Sequence, residues 1–139
     1  MDIGTMFKIS GSALGAEKRR LEVIAENLAG ANTTRTAKGG PYRRQDVVFK
    51  TFKDHLGQAR DNNAPDMVKA TVQPDTRPFQ MVFKPGHPDA NEEGYVQMPN
   101  VNTMEEMTNM ISATRSYEAN VKAIQATKAM IRGALQIGQ

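Results

Sequence analysis

The chain has no cysteine and no tryptophan among its 139 residues, and only 6% of its side chains are aromatic. Without cysteine it can form no disulfide, no thiolate metal site and no thiol nucleophile. His55 and His87 are the only imidazoles. Asp89 lies two residues after His87, but no H-x-x-x-H spacing or comparable ligand cluster is present. We therefore expect no catalytic site, no cofactor and no metal site.

Long apolar runs are also missing. No window approaches the ~20 apolar residues that a membrane-spanning helix needs. The opening residues, Met1 to Lys8, lack the basic leader and the apolar stretch of a cleavable secretory signal. We expect a protein that is not inserted in a membrane. It either stays in the cytoplasm or leaves by a route that does not cut its N-terminus.

The net charge of +3 is not concentrated in one stripe, because the arginine pairs 19–20 and 43–44 have carboxylates nearby in sequence. Nucleic-acid readers concentrate basic residues and interleave them with aromatics. We expect no nucleic-acid partner and no small-molecule substrate. Nine methionines in a chain with few aromatics indicate adaptable contact surfaces rather than a rigid pocket.

Apolar side chains recur every seven residues near the start and predict a helix over residues 5–29. This spacing keeps one helix face turned towards a partner helix. The row consists of Phe7, Leu14, Leu21 and Leu28, widened by Ile24 and Ala25. Gly30 is predicted to end the helix in the left-handed conformation.

The last third of the chain repeats the pattern and predicts a helix over residues 103–137, roughly 50 Å long at ~1.5 Å per residue. One row contains Met110, Tyr117, Ile124 and Ile131, and the other contains Met107, Val121 and Leu135. Thr114 and Lys128 interrupt the second row. Thr103 and Glu106 have the spacing of a capping box at the helix start.

The middle of the chain alternates turn signals with short β-prone runs. The runs are 42–52, 67–72, 79–83 and 95–98. The predicted fold is mainly α with a small β insert. It has an N-terminal helix in residues 1–32, a β-rich or irregular insert in 33–100 and a C-terminal helix in 101–139. We expect one folding unit in which the two long helices pack as a coiled coil.

The terminal helices are predicted to need partners. Gly4, Gly11 and Gly15 each weaken the first helix by about 1 kcal/mol relative to alanine, while small residues at 11–16 would let another backbone approach closely. The predicted assembly interface consists of Phe7, Leu14, Leu21, Ile24, Leu28, Met107, Met110, Tyr117, Val121, Ile124, Ile131 and Leu135. The alternative is that these rows form the interior of a monomeric helical hairpin.

Several motifs spread over nearly the whole chain resemble one known family. They are Ser12-Ala13-Leu14, Arg20-Leu21, the run 27–32, Pro41-Tyr42-Arg43, the run 47–49, Gly94-Tyr95-Val96, Pro99-Asn100-Val101, Glu106-Met107, Met110-Ile111, Ala113, Arg115 and the run 117–120. With these residues the chain resembles the axial proteins of the bacterial flagellum, and most closely the short proteins of the basal-body proximal rod. Distal-rod and hook relatives have similar ends but larger inserts.

The resemblance implies a structural subunit exported by the flagellar type III apparatus, without a cleavable signal, into the periplasm. There it assembles through its terminal helices, with its own copies and other rod proteins, into the drive shaft. Phe52 and Leu56 are similar to the short Phe-x-x-x-apolar export-gate motif of early substrates. The alternatives are a subunit of another secreted tube, which the middle insert argues against, and a rod-associated peptidoglycan hydrolase, for which the sequence offers no carboxylate or metal constellation.

Overall fold

A computed structural model describes residues 3–51 and 67–137 of the chain. The elements are α1 (Ile3–Gly30), β1 (Gln45–Thr51), β2 (Val68–Pro74), β3 (Gln80–Phe83), β4 (Tyr95–Met98) and α2 (Thr103–Ile137). The prediction of two long terminal helices with a small β middle is confirmed. Their packing as a coiled coil stays a prediction. Within the described ranges, neither helix is apolar enough over a sufficient length to cross a membrane.

The four strands of the described ranges form two small sheets, one from β1 and β2 and the other from β3 and β4. The second is antiparallel and pairs Val82 with Val96 and Phe83 with Tyr95. Successive side chains of a strand point to opposite faces. Accordingly Val96 is completely buried, whereas Phe83 and Tyr95 on the other face are exposed.

The predicted runs 79–83 and 95–98 coincide closely with β3 and β4. The run 42–52 begins three residues before β1, and its last residue lies outside the described residues. The run 67–72 matches β2 except that β2 extends through Pro74. The sequence predicts a turn at this proline. The backbone amide of Asp75 donates a hydrogen bond to the carbonyl of Arg44 at 2.8 Å. This bond links the segment before β1 to the segment after β2, one residue beyond Pro74. Proline has no backbone amide hydrogen, but at the end of a strand no ladder hydrogen bond requires one.

The backbone divides into two compact units. The first contains α1 as far as Leu21, β1 from Val48, β2 as far as Thr71 and α2 from Ser112. Its buried side chains include Ala16 and Ala113. The second contains the remaining parts of these elements together with β3 and β4. Its buried apolar side chains include Val23, Ile24, Val96 and Val101. The prediction of a single folding unit stays a prediction.

α1 ends at Gly30, as predicted, but the prediction that Gly30 adopts the left-handed conformation is wrong. The described residues with positive φ are Gly39, Gly40 and Gly94. Instead, the amide of Thr33 donates to the carbonyl of Gly30 at 3.0 Å and closes a tight turn. Glycine is needed here for space, because an added Cβ would lie 2.6 Å from Cγ of Tyr42.

The capping box predicted at Thr103 is also wrong. The residue that caps α2 is Asn102, whose Oδ1 accepts hydrogen bonds from the amides of Met104 and Glu105 at 3.0 and 3.4 Å. The amide of Glu106 donates to the backbone carbonyl of Asn102. The Glu106 side chain is therefore not required at the helix start, and it points into a buried polar cluster.

Candidate functional site

A buried ionic cluster surrounds Glu106, whose side chain is completely inaccessible to solvent. Nε of Arg44 donates to Oε1 of Glu106 at 2.8 Å, and Nδ2 of Asn27 donates to Oε2 at 2.9 Å. Arg44 also forms ion pairs with Asp75 at 3.1 Å and Asp46 at 3.5 Å. Burying an unpaired carboxylate is costly, and these partners offset that cost.

Asn27 connects the last turns of α1 to the start of β1. Its Oδ1 accepts hydrogen bonds from Oη of Tyr42 at 3.0 Å and from the amide of Gln45 at 2.9 Å. Its Nδ2 donates to the carbonyl of Gln45 at 2.8 Å as well as to Glu106. A single amide side chain thereby holds both backbone groups of Gln45 and the first turn of α2.

The pKa directions follow from this environment. Burial disfavours the charged form of Arg44, but the hydrogen bond and charge of Glu106, with Asp46 and Asp75, outweigh burial and raise the Arg44 pKa above its ordinary value. Burial, followed by the negative charges of Glu26 and Glu106, raises the pKa of Tyr42. The guanidinium is therefore held charged and the phenol neutral.

A second set of contacts extends the cluster towards the surface. Arg77 donates through Nε to Oδ2 of Asp75 at 2.8 Å and through Nη1 to Oε2 of Glu105 at 3.1 Å. Asn100 accepts from the amide of Arg44 at 2.8 Å and donates to the carbonyl of Arg77 at 3.0 Å. Because these carboxylates face cationic partners, the cluster is suited to holding the fold together rather than to acid–base chemistry. We call it the clamp, and its members are Asn27, Arg44, Asp75, Arg77, Asn100, Glu105 and Glu106.

Sequence reasoning missed this clamp because it assigned Glu106 to the helix start. One signal was present, since Asn27, Tyr42, Asn100 and Glu106 all lie in the motifs that carry the family resemblance. When four separate motifs each contain a polar residue, a contact that these residues share explains the pattern more simply than four unrelated roles.

The predicted interface residues differ in how much of each side chain is exposed to solvent. On α1, Ile24 is buried, and Phe7, Leu14, Leu21 and Leu28 are half-buried. On α2, the half-buried members are Met110, Tyr117, Val121, Ile124 and Ile131. Met107 and Leu135 are 52% and 67% exposed. These side chains are available to a neighbouring molecule to different degrees, and their role as an interface stays a prediction.

The first half of α2 carries an apolar stripe of which the heptad rows contain only Met107. Met104 is 73% exposed, Met107 52% and Ile111 57%. Spacings of three and four residues place them on one helix face. We call Met104, Met107 and Ile111 the α2 stripe. The heptad count missed it because that count grouped Met107 with Val121 and Leu135.

Among the residues that the structure describes, His87 does not stand in a ligand set. Nδ1 of His87 accepts a hydrogen bond from the amide of Asp89 at 3.1 Å. Across residues 3–51 and 67–137, no group of three or more histidine or acidic side chains is placed to hold a metal ion. His55 and the predicted export residues Phe52 and Leu56 lie outside the described residues.

Comparisons with known proteins agree on one family. Residues 7–35 match the family described as "Flagella basal body rod protein". Residues 92–137 match the one described as "Flagellar basal body rod FlgEFG protein C-terminal". The first match contains most of α1, and the second contains β4 and α2.

Relatives named "Flagellar basal-body rod protein FlgC" align with almost the whole chain. The protein of Salmonella typhimurium is 41% identical over 140 residues, covering all of both chains. That of Bacillus subtilis is 41% identical over 142 residues, covering 94% of this chain and 95% of its own. That of Borreliella burgdorferi is 37% identical over 151 residues, covering 100% and 99%.

Proposed function

The chain belongs to the FlgC family of flagellar basal-body rod proteins, and from this premise we propose how its helices build the rod. It is a structural subunit of the flagellar basal-body rod and assembles with other rod proteins. The proposal is that assembly occurs through the terminal helices, with the α2 stripe and the predicted interface residues covered by neighbouring subunits. Copies of the same chain are among those neighbours.

The observation that carries this proposal is the exposure of the α2 stripe. Met104, Met107 and Ile111 each expose more than half of a large apolar side chain on one face of a 35-residue helix. Contiguous exposed apolar surface of this kind is typical of protein–protein contact sites. Covering it contributes about 25 cal/mol for each Å² of apolar surface removed from water.

The ionic cluster supports the same proposal by presenting the stripe in a fixed orientation. Glu106 lies between Met104 and Met107 in sequence, and its carboxylate is held by Arg44 and Asn27. The rotation of the first turns of α2 is thus set by buried hydrogen bonds. A stripe that is already oriented loses less conformational entropy when a partner covers it.

A charge on the α2 stripe provides the test. We expect Met107→Asp to leave the free subunit folded, since the Met107 side chain is half exposed. Assembly should fail, because every copy would bury an unpaired carboxylate at a cost of several kcal/mol. The measurements are urea denaturation of the purified chain, swimming, and recovery of the chain in purified basal bodies.

Ser112→Asp is the matched control, because it adds the same charge at an exposed position of α2 away from the stripe. It should support normal swimming. Normal swimming by Met107→Asp, or equal loss in both variants, would exclude the stripe as an interface.

We also propose a route of export for the chain and a role without catalysis. The chain reaches the periplasmic part of the basal body through the flagellar type III apparatus without cleavage of its N-terminus, and Phe52 and Leu56 remain the candidate export motif. It works by forming contacts rather than as an enzyme, and it needs no cofactor. This agrees with relatives named as rod proteins and with carboxylates committed to the clamp.

A further inference from the structure

An open groove with a volume of about 450 Å³ lies along one face of the β3–β4 hairpin. Met81, Tyr95 and Gln97 form one wall, and the strand register places these side chains on the same face. Thr34, Arg35 and Pro41, from the loop after α1, also line the groove. Residues 88–91 complete its lining. We call this the hairpin groove.

The hairpin groove ends at an exposed aromatic pair. The rings of Phe83 and Tyr95 have centroids 5.3 Å apart and an interplanar angle of 64°, and they are 59% and 40% exposed. Gly94 has a φ of +83°, and an added Cβ would lie 2.9 Å from Cε2 of Phe83. The glycine lets the Phe83 ring lie against the turn, so the pair is held in place although it faces solvent.

The polar side chains of the hairpin groove suit an uncharged ligand. Its two charged residues, Arg35 and Asp89, pair with each other at 3.5 Å. Oδ1 of Asn91 accepts from the amides of Glu93 and Tyr95. In the described part of the chain, neither Nδ2 of Asn91 nor the side-chain amide of Gln97 has a partner. A locally neutral groove gives a polyanion little electrostatic attraction.

We propose that the hairpin groove binds a polysaccharide, namely the glycan strand of the bacterial cell wall. A pyranose ring has an apolar C–H face that packs on an exposed aromatic ring and a rim of hydroxyls that pairs with side-chain amides. The groove is open to solvent along its length, as an extended chain requires, whereas small-molecule sites bury most of their ligand. An extended peptide would add to a strand edge, but these side chains lie on the hairpin face. The choice of the cell-wall glycan rests on the proposed place in the basal body.

The test is co-sedimentation of the purified full-length chain with protein-free cell-wall sacculi. We expect the unmodified chain to bind and a soluble N-acetylglucosamine hexamer to compete. Tyr95→Ala should weaken binding about tenfold through loss of the aromatic contact. Tyr95→Phe keeps the ring and should retain binding, as should Met104→Ala, which truncates an exposed apolar side chain away from the groove.

Three outcomes would overturn the proposal. They are no binding to sacculi, undiminished binding by Tyr95→Ala, and binding that survives digestion of the glycan strands because it depends on the peptide stems. Met107→Asp separates this proposal from the rod interface, since that variant should fail to assemble yet still bind sacculi. Failure of sacculus binding with normal assembly would leave the proposed function intact.

Discussion

At the residue scale, Asp75 shows how a loop carboxylate stabilises the fold. Its Oδ2 lies 2.8 Å from Nε of Arg77 and 3.1 Å from Nη1 of Arg44. Burial disfavours its charged form, but the hydrogen bonds and charge of Arg77, with the hydrogen bond from Arg44, outweigh burial and lower the pKa of Asp75 below its ordinary value. The carboxylate is thus more acidic in the folded chain than in the unfolded chain.

The lowered pKa predicts an acid-sensitive contribution to stability. A depressed folded-state pKa means that the unfolded chain binds the proton first, so the stabilisation is complete above the ordinary pKa and is lost as the pH falls through the folded value. Asp75→Asn should cost about 1–3 kcal/mol near pH 7. Its stability should then change less steeply than that of the unmodified chain between about pH 5 and about pH 2.

Urea midpoints measured across this pH range provide the check. Asp46→Asn is the control, because the Asp46 carboxylate also pairs with Arg44, at 3.5 Å, but is half exposed. Exposed pairs contribute little, so this variant should keep the acid dependence. Parallel curves for Asp75→Asn and the unmodified chain would show that Asp75 does not carry the effect.

At the element scale, the end of α1 is shaped by the ring of Tyr42. Gly30→Ala would place a Cβ 2.6 Å from Cγ of this ring. The ring must then move, and its hydrogen bond from Oη to Asn27 is lost or lengthened. We expect a loss of about 1–3 kcal/mol in the free energy of unfolding, as for other overpacked sites.

Gly133→Ala provides the matched comparison for Gly30→Ala. Gly133 lies within α2, and an added Cβ would meet nothing within 4 Å. Alanine should therefore stabilise that helix by about 1 kcal/mol. Thermal or urea denaturation should show that Gly30→Ala lowers the free energy of unfolding and that Gly133→Ala raises it. A neutral or stabilising Gly30→Ala would mean that Tyr42 has room to move.

Helices and strands were largely predictable because their signals are local. In the part of the chain that the structure describes, the seven-residue rows predicted both helices, and the β-prone runs between turn signals predicted the four strands. The helix ends were less predictable, because their causes are not in the nearest motif. Gly30 is required by the nearby ring of Tyr42. Asn102 caps α2 because its side-chain oxygen accepts a hydrogen bond from a backbone amide. The clamp joins Asn27 to Glu106, which lie 79 positions apart in sequence, and no spacing rule connects them.

At the scale of the whole molecule, the small residues of α1 divide between two helix faces. Ser12 and Ala16 face the chain itself, since Oγ of Ser12 accepts from the amide of Val68 at 3.1 Å and Ala16 is buried. Gly11 and Gly15 are exposed, and a Cβ added to either would meet nothing within 4 Å. The free subunit thus has no steric need for these two glycines, although each weakens α1.

The glycine face predicts opposite effects on the free subunit and on the assembled rod. In the free chain, replacing Gly11 and Gly15 by alanine should stabilise α1 by about 1 kcal/mol at each position. If a neighbouring backbone approaches this face in the rod, as the small residues at 11–16 lead us to expect, the added methyl groups would hold it away and reduce assembly. Urea denaturation measures the first effect, and recovery of the chain in purified basal bodies measures the second. Lys18→Ala, an exposed change on α1 that adds no bulk, should assemble normally. Double-alanine subunits that are more stable and assemble equally well would show that no partner packs against this face.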